Sequence, residues 1–277
     1  MRHVFVAGAL ALVACATNPY TERSQLLLMS ESQEAQLGAQ AYDQILRNPK
    51  VKISRDPHEV EAVKRVAARI IDAAKQSRYG ETAKHFDWEV TVIKDDKTMN
   101  AFALPGGKIA VYTGIFPAAK SEAGLAAIMG HEVVHALARH GAERMSQGLL
   151  AQLGLEVANA ALASRGTSPQ SAHAMMAALG LGANVGILLP FSRSHESEAD
   201  YVGLLLAAQA GYDPHEAVRV WERMEQASKG QPPEFLSTHP SHGTRIKQLQ
   251  EWMPEALSFY RLQPGIQAAD LPPIQSQ

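Results

Sequence analysis

His131-Glu132-Val133-Val134-His135 constrains this chain more than any other stretch. Leu125, Ile128, Met129 and Leu137 recur around it at helical spacing, which predicts a helix from Ser121 to about Met145. Two histidines four apart share one helix face, so both imidazoles can reach one ion. Imidazole suits zinc, and a catalytic zinc keeps one coordination position for water. Glu132, beside the first imidazole, stands where it can take a proton from that water.

A third ligand is then required. A metzincin pattern would continue with a glycine three residues after His135 and a histidine three residues later. The chain has Ala138 and Gly141 there. His140 lies five residues past His135, about 140° around a continuous helix, and reads as structural or surface. The segment from Ser192 to Asp200 offers a better candidate. Glu196 and Asp200 are four apart on a predicted helix and share a face. Taken alone, this acidic cluster reads as a solvated face. Beside the histidine helix, Glu196 reads as a zinc ligand and Asp200 as the acceptor for a ligating imidazole. Glu198, about 200° from Glu196, should face away.

Composition narrows the classes. Lys and Arg number 26 against 28 Asp and Glu, so the net charge is -2 and a phosphate-backbone partner is not expected. Aromatic residues are 6%, which argues against a base-stacking platform. A single cysteine excludes an internal disulfide and a cysteine-rich metal site.

That cysteine closes a short basic start and an uncharged run from Val4 to Ala14. Residues 1–14 therefore read as a signal peptide, and Leu12-Val13-Ala14-Cys15 resembles a bacterial lipobox. Lipidation of Cys15 would anchor the chain to a membrane. Ala16 in the following position favours the outer membrane over the inner. Residues 15–29 read as a linker, 30–261 as the main domain and 262–277 as a flexible tail.

Within the main domain, Ser30 opens a helix to about Arg47, and a second fits Pro57 to Ser77. Trp88 to Ile93, Ala101 to Leu104 and Lys108 to Thr113 read as strands, with a turn at Pro105-Gly106-Gly107. Helices follow at about 194–210, from Asp213-Pro214 to Ser228, and from Ser241 to Trp252. The stretch from Ala174 to Phe191 carries no charge; it reads as a buried or surface-lying helix rather than a span. The predicted class is α+β, mostly helical, with a small antiparallel sheet beside the active-site helix.

The pieces together resemble the zinc metallopeptidase family of the CAAX prenyl endopeptidases, the mitochondrial Oma-type proteases and bacterial periplasmic lipoprotein proteases. The matching segments are Asn100 through Gly107, Gly130-His131-Glu132-Val133-Val134-His135-Ala136, Ser192 through Asp200, and Thr238-His239-Pro240, in the family's order over about residues 18 to 252. With its lipobox the chain looks like the periplasmic branch near a beta-barrel assembly-enhancing protease, without the tetratricopeptide array. The resemblance implies a zincin-like metalloprotease fold and one catalytic zinc. It implies His131, His135 and Glu196 as ligands and Glu132 as the general base, which takes a proton from water and returns it to the leaving amine.

An oxyanion donor could be His239, His242, Tyr201 or Arg245, and the resemblance places His239 near the site. His239 could instead fill the open metal position and silence the enzyme. An edge strand, Asn100-Ala101-Phe102-Ala103 onward or Lys108 to Thr113, could bind an extended peptide through its main chain. The expected substrates are unfolded or misassembled cell-envelope proteins, met at the periplasmic face. Two other functions compete: a non-catalytic zinc-containing lipoprotein serving as chaperone or adaptor, and a membrane-embedded protease acting on membrane or lipid-modified substrates.

Overall fold

The computed structural model describes residues 15–148, 150, 191–227, 234–239, 243–261 and 269–273. The expected signal peptide, the apolar stretch up to residue 190 and His242 lie outside them. The chain divides into two compact units, one of residues 1–17, 24–29 and 142–189, the other of 18–23, 30–141 and 190–277.

In the smaller unit the segment read as a linker forms an antiparallel pair instead. Strand β1 (Cys15–Thr17) pairs with β2 (Ser24–Leu26). The Gln25 amide donates to Glu143 at 3.1 Å, and the Leu28 N–H donates to the Ser146 hydroxyl at 2.9 Å. The polar composition of this stretch hides a pairing made by main-chain groups.

The larger unit opens on α1 (Glu31–Arg47), started by a reciprocal capping box between Ser30 and Gln33. Helix α2 (Pro57–Gln76) follows Asp56 as cap and Pro57 at its first position. Its buried residues, among them Val63, Val66, Ile70 and Ala74, fall on one stripe. A short α3 (Gly80–His85) leads to strands β3 (Glu89–Ile93), β4 (Ala101–Leu104) and β5 (Lys108–Tyr112).

The sheet order is β3-β5-β4. β4 pairs antiparallel with β5, whereas β3 runs parallel to it, with Glu89 opposite Lys108 and Ile93 opposite Tyr112. The sheet is thus mixed, not antiparallel throughout. Alternation in sequence reports which face is buried, not strand direction. The return from β4 to β5 uses positive φ at Gly106 and Gly107, 83° and 93°.

After α4 (Phe116–Ala119), the central helix α5 (Glu122–Leu137) is buried on every side. Leu125, Met129, Val133 and Val134 pack with Val66 and Ile70 of α2 and Val202 and Leu206 of α6 (Arg193–Gln209) in one core. α5 does not run on to Met145. It ends at Leu137, Arg139 takes φ 58°, and a new helical stretch starts at residue 140. The Arg139 guanidinium is held there by the Glu34 carboxylate of α1, both oxygens lying 3.1 Å from its Nε.

Helices α7 (His215–Ala227), α8 (Glu234–Thr238) and α9 (Arg245–Arg261) complete the unit. α9 begins later than expected and runs through Pro254 well beyond Trp252. Part of the stretch read as a flexible tail is fixed. The Glu122 N–H donates to Ala269 O and the Leu271 N–H to Lys120 O, both at 2.9 Å, and Leu271 is buried. The class is α+β and mostly helical, consistent with a zincin-like fold.

Candidate metal centre

The site begins where two helices cross backbone to backbone. A Cβ on Gly203 of α6 would lie 2.7 Å from the His131 nitrogen, and one on Gly130 of α5 would lie 2.7 Å from the Gly203 oxygen. This approach sets the acidic first turns of α6 against the two histidines of α5. Ser192 starts α6, its hydroxyl accepting from the His195 N–H.

Four side chains then converge. His131 Nε2 lies 3.1 Å from His135 Nε2 and 3.2 Å from His239 Nδ1. Glu196 Oε1 lies 3.0 Å from His239 Nδ1 and 3.4 Å from His135 Nε2, and Oε2 lies 3.6 Å from His131 Nε2. All four residues are buried, and their donor atoms lie within 4.8 Å of one another. A tetrahedral zinc with bonds of about 2.0–2.1 Å has donors about 3.3 Å apart. Lone pairs of several imidazoles and a carboxylate crowd together in this way when a cation is to sit among them. The residues present therefore fit zinc.

The supporting shell agrees. The His131 Nδ1–H donates to Asp200 Oδ1 at 2.9 Å, which turns Nε2 toward the donor set. Arg245 is buried, its guanidinium carbon 3.3 Å from the centroid of the Trp221 ring. It donates to Asp200 Oδ1 at 2.6 Å and sits 3.1 Å from Glu196 Oε2, offsetting both carboxylates. His239 follows α8 directly, its N–H bonded to Phe235 O at 2.9 Å and its ring stacked on Phe235 and Phe191.

Glu132 shares the pocket. Its Oε1 lies 3.4 Å from His239 Nε2 and, among the described residues, has no hydrogen-bond partner. Burial pushes its carboxyl up to about 7, opposed by the charge of His239 and by a backbone hydrogen bond from Ala103 of β4. Burial also holds His131 and His135 neutral, well below the usual histidine range. For Glu196 burial acts upward, but the imidazoles of His135, His239 and His131 around it outweigh that and keep the carboxyl far below its ordinary range. His239 moves the other way: burial lowers it, and Glu132 and Glu196 raise it further.

Residues 57–253 match the model of Peptidase family M48. The chain belongs to that family. Mitochondrial metalloendopeptidase OMA1 of Schizosaccharomyces pombe is 38% identical over 241 residues, 86% of this chain and 66% of that protein. Metalloendopeptidase OMA1, mitochondrial, of Homo sapiens is 33% identical over 251 residues, 87% of this chain and 46% of that protein. Beta-barrel assembly-enhancing protease of Yersinia pestis is 29% identical over 194 residues, 69% of this chain and 38% of that protein. The chain thus spans less than two thirds of each of these relatives. The M48 family is one of zinc-dependent metallopeptidases, and its members here are metalloendopeptidases. The mitochondrial relatives also correct one expectation. A periplasmic, lipid-anchored location with the outer membrane favoured does not stand against them.

Of the residues named from sequence, the structure brings together His131, Glu132, His135, Glu196, Asp200, His239 and Arg245. Tyr201 is not among them; its hydroxyl donates to Glu255 at 3.0 Å on the outside. β4 is an edge strand of its sheet, whereas β5 is central, so Lys108 to Thr113 is not available as an edge. Asn100 is buried and its side chain accepts from the Ala101 N–H, leaving Ala101, Phe102 and Ala103 as the strand proper. His140 and Glu198 carry more than spacing suggests. Both are buried, and Glu198 faces away from the donor set into a second polar cluster.

Proposed function

We propose that the chain is a zinc-dependent endopeptidase acting on unfolded or misassembled polypeptides. The observation that carries this reading is the buried Oε1 of Glu132, which has no hydrogen-bond partner among the described residues, beside the four converging donors. A purely structural zinc site has no use for a further carboxylate beside its four donors, which disfavours the chaperone or adaptor reading.

His131, His135 and Glu196 would hold the metal. When bound, zinc lowers the pKa of a water and polarises a carbonyl. Glu132 receives the water proton and passes it to the nitrogen of the leaving amine. Asp200 holds the His131 ring through Nδ1, and Arg245 keeps Asp200 and Glu196 in place. His239 fills a fourth donor position in this arrangement. In this reading it keeps the enzyme latent, and on leaving the donor set it becomes available as a donor to the developing oxyanion.

An extended substrate would add to the edge strand Ala101–Leu104 by main-chain hydrogen bonds. Ala103 bonds Glu132 through its backbone, so the strand and the base share one frame. Main-chain recognition is weakly selective for side chains, which suits unfolded chains. The relative named for enhancing β-barrel assembly supports misassembled cell-envelope proteins as the specific class. Residues 30–261 make up the peptidase domain in this reading. The membrane-embedded alternative leans on residues 174–191, almost all outside the described residues. Among those described, no helix is long and apolar enough to cross a membrane.

The test is hydrolysis of casein by the chain after chelation and after zinc is restored, with products identified by mass spectrometry. Internal cleavage that disappears and returns with zinc is expected. Cleavage that survives chelation, or release of terminal residues only, would contradict the reading. His239→Ala removes the latch and the oxyanion donor together, so it should weaken metal binding and slow cleavage at the open site. If it leaves cleavage and metal affinity unchanged, the latch is wrong.

A further inference from the structure

The outward nitrogen of His131 is held by Asp200, a pairing that i, i+4 spacing anticipates. The outward nitrogen of His135 is held by something that spacing does not anticipate. His135 Nδ1 lies 3.0 Å from Nδ1 of His140, and His140 Nε2 lies 2.9 Å from Oε2 of Glu198. Glu198 is gripped from its far side by Arg23, with Nε 2.9 Å from Oε1 and a terminal nitrogen 2.9 Å from Oε2. The Thr21 hydroxyl donates to the same carboxylate. His140 is fully buried and stacks on His195 at 4.5 Å. The turn at Arg139 makes this possible, because it restarts the helix with His140 directed back toward His135.

The proton positions follow in order. A carboxylate bound by arginine in a forked pair is an acceptor only. His140 Nε2 must therefore carry the proton of that contact. A neutral His140 then presents Nδ1 as an acceptor, so His135 Nδ1 must carry the next proton. A neutral His135 protonated at Nδ1 has its remaining lone pair on Nε2, the nitrogen that faces His131 and Glu196.

We propose that His140 and Glu198, anchored by Arg23, are a positioning pair that fixes the Nδ1–H tautomer of His135 and so commits its Nε2 to the metal. This rests on the reading of His135 as a metal ligand. It assigns a part in holding zinc to Thr21 and Arg23, and to His140, which meets the donor set only at the outward nitrogen of His135.

The experiment measures zinc affinity by chelator competition and the visible spectrum of the cobalt-substituted protein, on the full chain. His140→Phe keeps the ring for stacking and removes both nitrogens. It should weaken zinc binding about 10- to 100-fold and shift the cobalt bands. His140→Asn puts an amide oxygen where Nδ1 stands and should recover much of the affinity. Glu198→Gln should weaken binding in the same direction by a smaller factor. If wild type binds no zinc, or His135→Ala binds as wild type does, the metal reading itself fails. If wild type binds, and a folded His140→Phe binds equally well with an unchanged spectrum, the positioning pair alone is overturned. Should His140→Phe not fold, Glu198→Gln decides, and undiminished affinity there overturns the proposal.

Discussion

The crossing of α5 and α6 can be tested by adding one methyl group. Gly203→Ala places a Cβ 2.7 Å from the His131 nitrogen and 2.9 Å from both His131 Cα and Gly130 C. That is about 0.7 Å short of ordinary contact, and every atom met is backbone, so no rotamer change relieves it. The helices must separate or tilt. Overpacking of this kind costs about 1–3 kcal/mol, and the better helix propensity of alanine returns about 1 kcal/mol. A net loss of up to about 2 kcal/mol is expected, measured by denaturant unfolding of the metal-free protein. Zinc binding should suffer more, because Glu196 and Asp200 ride on the displaced helix while metal bonds tolerate only about 0.2 Å. At least a tenfold loss of zinc affinity is expected by chelator competition. Gly141→Ala is the control. A Cβ there meets nothing within 4 Å, so that variant should be neutral or stabilised by up to about 1 kcal/mol. If Gly203→Ala matched the control in both stability and zinc affinity, the close crossing would not be what assembles the site.

Other outcomes follow from single contacts. Asp200→Asn should weaken zinc binding about 10- to 100-fold while far-ultraviolet circular dichroism stays unchanged. Arg245→Leu leaves two buried carboxylates without their cation and should cost about 3–5 kcal/mol in a denaturant titration. Leu271→Ala removes a buried side chain and should lower stability by about 2–5 kcal/mol, checked by thermal melting; no effect would mean residues 269–273 do not contribute to the core. Glu198 gives a pH prediction. Burial acts upward on its carboxyl, but hydrogen bonds from His140, Arg23 and Thr21 bring it from an ordinary 4.5 to about 2. A depressed carboxyl contributes stability that is complete above about pH 4.5 and is lost as pH falls toward 2. Acid unfolding of Glu198→Gln should therefore be shallower than wild type across that window.

The convergence of the site's side chains is legible in sequence because it rests on local geometry. His131 and His135, and Glu196 and Asp200, are pairs four residues apart on helices, and a helix turns such pairs to one side whatever surrounds it. Glu132 needed only its place beside the first histidine. What escaped depends on the chain's path. The 140° argument for His140 assumed a continuous helix, and nothing in Ala138-Arg139 signals the left-handed residue that ends it. Arg139 is held by Glu34, more than one hundred positions earlier, and no local pattern reports that. The direction of β3 escaped because alternation looks the same in parallel and antiparallel pairs. Gly203 reads as a mild helix weakener until its neighbour across the crossing is known. The docking of Leu271 is likewise made by a distant main-chain partner, Lys120.

The central claim is that Glu132 is the base beside a zinc held by His131, His135 and Glu196. The most direct measurement compares the wild-type chain with Glu132→Gln for zinc content and for casein cleavage in the same preparations. Equal zinc content with cleavage by the wild type alone is the predicted result. Cleavage by both at similar rates would contradict the assignment.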